Sequence, residues 1–204
     1  MEDLFSGIRV VLGSASPRRR DLMEQAGIPF EVRTAKGEEH SDASDPAAYV
    51  QDLAMHKATE VLREVLQEEE GDVLVIGADT VVVKDGTILG KPKDSNDAFR
   101  MIRLIAGTDH QVMTGVGLIL RKQGEIRTRS FTEVTHVFVH SMCTEEIRAY
   151  IETGEPFDKA GAYGIQGKFG IFVDKIEGDY HNVVGLPIAR LYHEIRRLIL
   201  SRSL

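Results

Sequence analysis

The chain has 204 residues, of which 42% are hydrophobic and 28% are charged, and its formal net charge is −7. This length and apolar content exclude general disorder and predict one compact domain over residues 1–204, with room for two lobes. The acidic balance argues against binding to nucleic acid or to an anionic membrane, because such partners usually select a basic face.

The first part of the chain alternates strand-like and helix-like segments. The run IRVVLGS predicts a buried strand, PRRRDLMEQAG a short helix, and FEVRTA a second strand. Asp45 as N-cap and Pro46 at the first helical position predict a long helix that runs to about Gln67. Its residues at helical spacing are expected to face the core: Val50, Leu53, Ala54, Ala58, Val61, Leu62 and Val65.

The remaining segments continue this alternation. The run DVLVIGADTVVVKDGTIL predicts a buried strand and a hairpin that turns at Asp85 and Gly86, and Asp94 caps a helix through Ile105. An antiparallel pair is predicted from QVMTGVGLIL and EIRTRSFTEVTHVFV. A helix from Thr144 to Gly154, the glycine-rich loop GEPFDKAGAYGIQGKFG, the strand IFVDKI and a helix from Pro187 to about Leu200 follow. The pattern predicts an α/β fold with a mixed sheet.

Three consecutive arginines, Arg18, Arg19 and Arg20, fall in the first turn of the first predicted helix. Cations are disfavoured at this positive end of a helix dipole. Together with the backbone N–H groups and the hydroxyls of Ser14 and Ser16, they predict a phosphate site. A solvated turn, or arginines paired with the acidic loop KGEE, is the structural alternative.

Two common nucleotide motifs are excluded. In GTILGKPK the glycines are one residue too close for a P-loop, and Pro92 stands where the magnesium-binding Ser or Thr belongs. The glycines of GAYGIQG do not have the dinucleotide-binding spacing, and this segment follows a helix rather than a strand.

Charged residues elsewhere suggest catalytic chemistry. Asp79 interrupts the apolar run VLVIGADTVVV, where a carboxylate needs a cation, a metal or hydrogen bonds. Glu38 and Glu39 offer hard oxygen ligands for Mg²⁺ or Mn²⁺. The alternatives are a structural role for Asp79 and a solvated surface loop for Glu38 and Glu39. Lys57 and Lys91, each taken alone, are typical of surface lysines.

The glycine-rich loop carries groups that suit a nucleobase. Tyr163 could stack on a base, and the amide of Gln166 could read its edge, while a flexible loop remains the alternative. The start MEDLFSG lacks an apolar signal core, no apolar run approaches membrane-spanning length, and Cys143 is the only cysteine. We therefore expect a cytoplasmic protein without a disulfide.

Several motifs together resemble one family. LGSASPRRRDLMEQAGIPFEV, IGADTVVV, LGKP, TGVGLI, EPFDKAGAYGIQG and GDYHNVVGLP closely resemble the Maf (septum formation inhibitor) family of nucleoside triphosphate pyrophosphatases. The resemblance runs from about Val10 to Pro187. It implies an elongated mixed sheet flanked by helices and two lobes with a cleft, similar to the inosine triphosphate pyrophosphatases, and conversion of a nucleoside triphosphate to its monophosphate and pyrophosphate.

The resemblance also implies roles for particular residues. Asp79 matches the general base, Glu39 a ligand of Mg²⁺ or Mn²⁺, and Thr80 and Gln166 match positions linked with substrate choice. Triphosphate contacts are implied for Ser14, Arg18, Arg19, Lys57 and Lys91. The ADT and KAGAYGIQG forms are similar to the branch that acts on dTTP and UTP, and a homodimer is expected.

Two other functions stay open at this point. The family name records a link to cell division, so the protein could be a regulatory module that binds nucleotide without turning it over. Alternatively, the arginine-rich helix start could bind nucleic acid phosphates, although the net charge of −7 speaks against this.

Overall fold

The computed structural model describes residues 2–37, 40–68 and 71–201. The α-helices are α1 (Pro17–Gln25), α2 (Pro46–Glu68), α3 (Ser95–Ile105), α4 (Thr144–Glu152), α5 (Tyr180–Val184) and α6 (Ile188–Leu200). The strands are β1 (Arg9–Gly13), β2 (Glu31–Val32), β3 (Val73–Lys84), β4 (Thr87–Leu89), β5 (Asp109–Lys122), β6 (Glu125–Val139) and β7 (Val173–Glu177). Short 3-10 helices cover Glu2–Phe5, Glu155–Asp158, Ala160–Ala162 and Lys168–Phe172. Within the described part of the chain, no helix is both long and apolar enough to cross a membrane.

The strands form one mixed sheet in the order β2-β1-β3-β5-β6-β7, and β4 pairs with β3. β1 is parallel to β2 and β3, whereas the pairs β3–β4 and β6–β7 are antiparallel. Helices and strands alternate along the chain, as the sequence predicts. The expected α/β fold, a mixed sheet accompanied by helices, is confirmed.

The N-cap and turn residues predicted from the sequence are also found at the boundaries of helices and strands. The Asp45 carboxylate accepts a hydrogen bond from the backbone N–H of Ala48, and Asp94 accepts one from Asp97, as expected of N-caps. The hairpin turn has positive φ at both Asp85 (49°) and Gly86 (76°), which suits a tight two-residue connection.

Three segments differ from the prediction. The strand expected from FEVRTA is only two residues long, and the strand expected to begin at Ile171 begins at Val173, after the 3-10 helix Lys168–Phe172. The short helix α5 was not predicted. The glycine-rich loop is built from 3-10 turns rather than irregular chain.

Contacts divide the chain into two compact units. Unit 1 comprises Met1–Asp79, Thr114–Thr132 and Gly185–Leu204, and unit 2 comprises Thr80–Met113 and Glu133–Val184. The single-domain assignment and the cleft implied by the family resemblance stay predictions.

The core of unit 1 is formed where α2 packs on the sheet. All seven residues predicted to face the core from α2 are buried, and the last four of them form a cluster with apolar strand residues such as Val11, Val75 and Ile119. Glycines allow this helix to lie very close to the strands. A Cβ on Gly77 would lie 2.1 Å from the carbonyl oxygen of Ala54, and one on Gly115 would lie 2.2 Å from that of Val50.

Unit 2 has a separate core of aliphatic and aromatic side chains. Ile102 and Ile105 of α3 and Ile147 and Tyr150 of α4 pack there with Phe169, which is completely buried. The Phe169 ring lies 4.6 Å from the Tyr163 ring, centroid to centroid. The glycine-rich segment therefore contributes aromatic residues to this core.

Candidate active site

A largely buried ion pair lies in unit 1. The Lys57 ammonium on α2 donates a hydrogen bond of 2.6 Å to Oδ1 of Asp79, which lies in the middle of β3. The two side chains are only 16% and 14% exposed, respectively. A carboxylate this far removed from water needs a cation, a metal or hydrogen bonds, and Lys57 provides the cation.

The close approach of α2 to the strands brings these two residues together. Gly77 lies two residues before Asp79 on β3 and faces the backbone of α2 at Ala54, about one turn before Lys57, and at Ala58, directly after it. Any larger residue at position 77 would push the helix, and with it the Lys57 ammonium, away from the strand. The sequence IGADT therefore places a small residue where the helix must come close and a carboxylate where the lysine reaches the strand.

Arg19 is buried beside this pair and joins three segments of unit 1. Its Nε donates to the carbonyl oxygen of Gly185 over 2.7 Å, and its Nη1 donates to Oγ of Ser14 at 2.9 Å and to the carbonyl oxygen of Ala78 at 3.0 Å. Ala78 directly precedes Asp79. Three N–H groups of this guanidinium thus connect the turn after β1, the strand that carries Asp79 and the segment at Gly185.

The three arginines that the sequence groups together have different surroundings. Arg19 is 9% exposed, whereas Arg18 is half-buried and Arg20 is exposed. Ser14 is also buried, and its Oγ accepts a second hydrogen bond, from the backbone N–H of Ser16 at 3.3 Å. Ser16 takes the N-cap position of α1, but its side chain makes no capping bond.

The predicted metal ligand Glu39, with Glu38, lies outside the described residues. The segment before it is fixed by Glu60, whose Oε1 accepts hydrogen bonds from the backbone N–H groups of Lys36 (2.6 Å) and Gly37 (2.8 Å). Glu60 lies one helical turn after Lys57 on α2. Across residues 2–37, 40–68 and 71–201, no three His, Cys, Asp or Glu side chains group as a metal site.

The other predicted substrate residues belong to unit 2. Thr80 follows Asp79 on β3 and is half-buried, and Lys91 is exposed just after β4. The carbonyl oxygen of Gly90 accepts a hydrogen bond of 3.0 Å from the N–H of Gly161. This bond attaches the segment that carries Lys91 to the glycine-rich segment that carries Gln166.

Gln166 is exposed at the tip of a tight turn, which we call the Gln166 turn (Gly164–Gly167). The N–H of Gly167 donates to the carbonyl oxygen of Gly164 over 3.1 Å and closes the turn. The turn follows Tyr163, whose hydroxyl lies 2.7 Å from Nε2 of the buried His110. The sequence expected Tyr163 to stack on a base, but its ring is 5% exposed and packs in the core instead.

Burial controls the protonation of this pair. Desolvation lowers the pKa of His110 to about 4; Asp109 acts in the opposite direction, and Lys84 and His136 lower the pKa further. Burial also raises the pKa of Tyr163 well above its usual range. Both groups are therefore neutral near pH 7, so the bond between them is a neutral hydrogen bond.

Some of these supporting residues gave no signal in the sequence. His110 is one of seven scattered histidines, and Glu60 is one of several glutamates on the predicted surface of α2. Gly185 accepts a hydrogen bond at its main-chain carbonyl oxygen, a role that the residue type does not predict. Each of the three acts through a contact between residues distant in sequence.

A family model for Maf-like proteins matches residues 9–198 of the chain. The chain belongs to the Maf-like family. This confirms the resemblance that the sequence motifs indicate.

Curated Maf-like relatives match the chain over most of its length. A dTTP/UTP pyrophosphatase of Agathobacter rectalis is 49% identical over 199 residues, which cover 93% of this chain and 97% of the relative. Proteins of the same name from Bacillus cytotoxicus and Lachnoclostridium phytofermentans are 47% and 42% identical, covering 93% of this chain and 95% and 94% of the relatives. A solved dITP/XTP pyrophosphatase of Mycobacterium abscessus aligns at 13% identity and a TM-score of 0.31, over 63% of this chain and 72% of that one. This last similarity is too low to carry an argument.

Proposed function

We propose that this Maf-like protein hydrolyses dTTP and UTP to the monophosphate and pyrophosphate. The observation that carries the proposal is the Lys57–Asp79 pair, held in place beside the buried Arg19. Relatives that are 42–49% identical over 93% of this chain are named dTTP/UTP pyrophosphatases, which supports the same substrates here.

Cationic and hydroxyl side chains would bind the triphosphate. In unit 1, Arg18 is the arginine whose half-buried position suits a phosphate ligand, while Arg19 and Ser14 would shape the turn around the phosphates as well as contact them. Lys57 and Lys91 would neutralise further phosphate charge. Binding an anion at the start of α1 would also satisfy the positive end of its dipole.

Asp79 is the proposed general base. Lys57 donates to Oδ1 of Asp79, so a water molecule would bind at Oδ2. From there the water would attack the α-phosphorus. The water oxygen forms the new bond to phosphorus, and its proton passes to the carboxylate. The bond between the α-phosphorus and the bridging oxygen breaks, and its electron pair leaves with pyrophosphate, whose charge the arginine and lysine side chains stabilise.

A divalent cation, Mg²⁺ or Mn²⁺, is the proposed cofactor. Carboxylates are the hard oxygen ligands that these ions prefer, and Mg²⁺ is commonly held by one or two of them together with substrate phosphates and water. Glu39 would supply such an oxygen. When bound, the ion would neutralise charge on the triphosphate. Removing divalent ions with a chelator should abolish turnover, and either ion should restore it.

Substrate choice would depend on Thr80 and Gln166. The amide of Gln166 offers both a donor and an acceptor, and the turn presents it to solvent, so it could read the edge of a pyrimidine. We further propose that the protein is a cytoplasmic homodimer that binds neither nucleic acid nor membrane. The acidic net charge of −7 supports the last two points.

Product analysis tests the proposed reaction. The purified protein would be incubated with dTTP, UTP, CTP, GTP and 7-methyl-GTP in the presence of Mg²⁺ or Mn²⁺, and the products separated by ion-exchange chromatography. We expect monophosphate and pyrophosphate, most rapidly from dTTP and UTP. Diphosphate and orthophosphate would mean attack at the γ-phosphorus, and bound nucleotide without product would favour the regulatory module.

A further inference from the structure

The carboxylate of Glu155 packs against the Gln166 turn. Oε1 of Glu155 accepts a hydrogen bond of 2.9 Å from the Tyr150 hydroxyl on α4. Oε2 accepts one of 3.0 Å from the backbone N–H of Lys168, two residues after Gln166. Burial, and then this contact with Glu155, raise the pKa of Tyr150, so its hydroxyl keeps its proton and donates.

Gly167 brings the turn into contact with this carboxylate. A Cβ on Gly167 would lie 2.0 Å from Oε1 and 2.5 Å from Oε2 of Glu155. The φ angle of Gly167 is −100°, which other residues adopt readily, so glycine is required here for space and not for conformation. The backbone next to Gln166 therefore rests directly on the Glu155 side chain.

The other end of the turn is held in a similar way. A Cβ on Gly164 would lie 2.7 Å from Cε of Lys159, and the Lys159 ammonium donates to the carbonyl oxygen of Glu155 over 2.7 Å. The turn is thus packed against a side chain at each end, at Gly164 and at Gly167. Glu155 takes part in the support at both ends, through its carboxylate and through its main chain.

We propose that Glu155 is a positioning residue that fixes the orientation of Gln166 and thereby the preference for a pyrimidine triphosphate. This inference rests on the proposed function, in which Gln166 reads the base. Glu155 itself contacts neither phosphate nor water in this role. It acts through the backbone N–H of Lys168 and the Cα of Gly167.

Two substitutions of Glu155 separate positioning from charge. In Glu155→Gln, the amide oxygen can still accept from Lys168 and the amide N–H can donate to the Tyr150 oxygen, so we expect values of kcat and KM close to those of the wild type. In Glu155→Ala both bonds are lost. We expect KM for dTTP and UTP to rise about tenfold, as for one hydrogen bond to a charged group, with little change in kcat. KM for CTP and GTP should change much less.

Gly167→Ala provides a second route to the same effect, which does not depend on how well Glu155→Ala folds. Its methyl group cannot coexist with the carboxylate, so KM for dTTP and UTP should again rise. In the Glu155→Ala background the methyl group has room, and the substitution should add little. Glu152→Gln, an exposed glutamate on α4, makes the same change of charge as Glu155→Gln and should match the wild type.

The outcomes distinguish this inference from the proposed function. If the wild-type protein releases no monophosphate from dTTP or UTP, the proposed function fails and the inference fails with it. If the wild type is active and both Glu155→Ala and Gly167→Ala keep its preference among dTTP, UTP, CTP and GTP, the inference alone is overturned. A kcat that falls equally in Glu155→Gln and Glu155→Ala would also overturn it, because the charge would then be what matters.

Discussion

The two units of this Maf-like protein hold their proposed functional residues in different ways. In unit 1, Ser14, Arg19, Lys57 and Asp79, which we call the Asp79 cluster, are fixed by charged side chains that bond between segments. In unit 2, the Gln166 turn is fixed through its backbone, which packs by a glycine at each end against the side chains of Glu155 and Lys159.

This difference matches the different tasks proposed for the two regions. Phosphate recognition and water activation need charge, and the cluster keeps its charged groups largely away from water by pairing them. Base recognition needs a defined direction for one amide, and a turn held through its backbone provides it. Substitutions in the Asp79 cluster should therefore affect turnover or stability through electrostatics, whereas those in the Gln166 turn should act through geometry.

Asp79→Asn should have the largest effect. Removing the general base should reduce kcat for dTTP by about 10² to 10⁴, while KM changes little, because the amide still fits beside Lys57. Steady-state kinetics measures both values. Asp85→Asn, in the exposed turn after the same strand, is the matched control and should be silent; turnover of Asp79→Asn equal to that of the wild type would remove Asp79 from the role of base.

The buried His110 next to the Gln166 turn should make the protein less stable in acid. Its pKa is about 4 in the folded protein and about 6.5 in an unfolded chain, so the unfolded state binds more protons between these pH values. The free energy of unfolding should therefore fall as pH drops from about 6.5 to 4, by a total of about 3 kcal/mol. Urea unfolding at several pH values measures this slope.

His110→Phe should flatten that slope because it removes the titrating group, whatever its effect on stability at pH 7. His193→Gln is the control, since His193 is exposed on α6 and its loss should leave the slope unchanged. Equal slopes in the wild type and in His110→Phe would show that burial does not keep the histidine neutral.

Arg19→Ala should reduce stability more than any other single arginine substitution in α1. It would leave the carbonyl oxygens of Ala78 and Gly185 without this donor in a buried place, at a cost of about 1–3 kcal/mol. Urea unfolding at pH 7 measures the loss. Arg20→Ala, at the next and exposed position, should lie close to the wild type; an equal loss in both variants would argue against the bonds of Arg19 as the cause.

Arg18→Ala should have the smallest and most selective effect. Its side chain is proposed to bind phosphate, so KM for dTTP should rise about tenfold, while the free energy of unfolding stays near the wild-type value. Kinetics and urea unfolding on the same preparation separate the two adjacent arginines. Unchanged KM and kcat in Arg18→Ala would exclude it from the phosphate site.

The sequence predicted much of the Asp79 cluster because its main elements have strong local patterns. The helical spacing of α2 identified its seven buried residues, and the apolar run around Asp79 identified a strand with a carboxylate that needs a partner. It could not show that this partner is Lys57. That contact depends on how closely α2 approaches Gly77.

The surroundings of Gln166 were harder to predict because they depend on contacts between distant residues. The bond between His110 and Tyr163 spans 53 positions. The burial of Tyr163 overturned its expected role as a stacking surface. The sequence also does not show which side chains pack beside each glycine. These contacts decide how firmly a glycine-rich segment is held in place.

The most direct test of the central claim is to locate the oxygen that enters during hydrolysis. A single turnover of dTTP in water enriched in the heavy oxygen isotope, followed by mass spectrometry of both products, gives the answer. Attack at the α-phosphorus by water activated at Asp79 predicts one labelled oxygen in the monophosphate and none in pyrophosphate. Label in pyrophosphate would place the attack at the β-phosphorus and contradict the account.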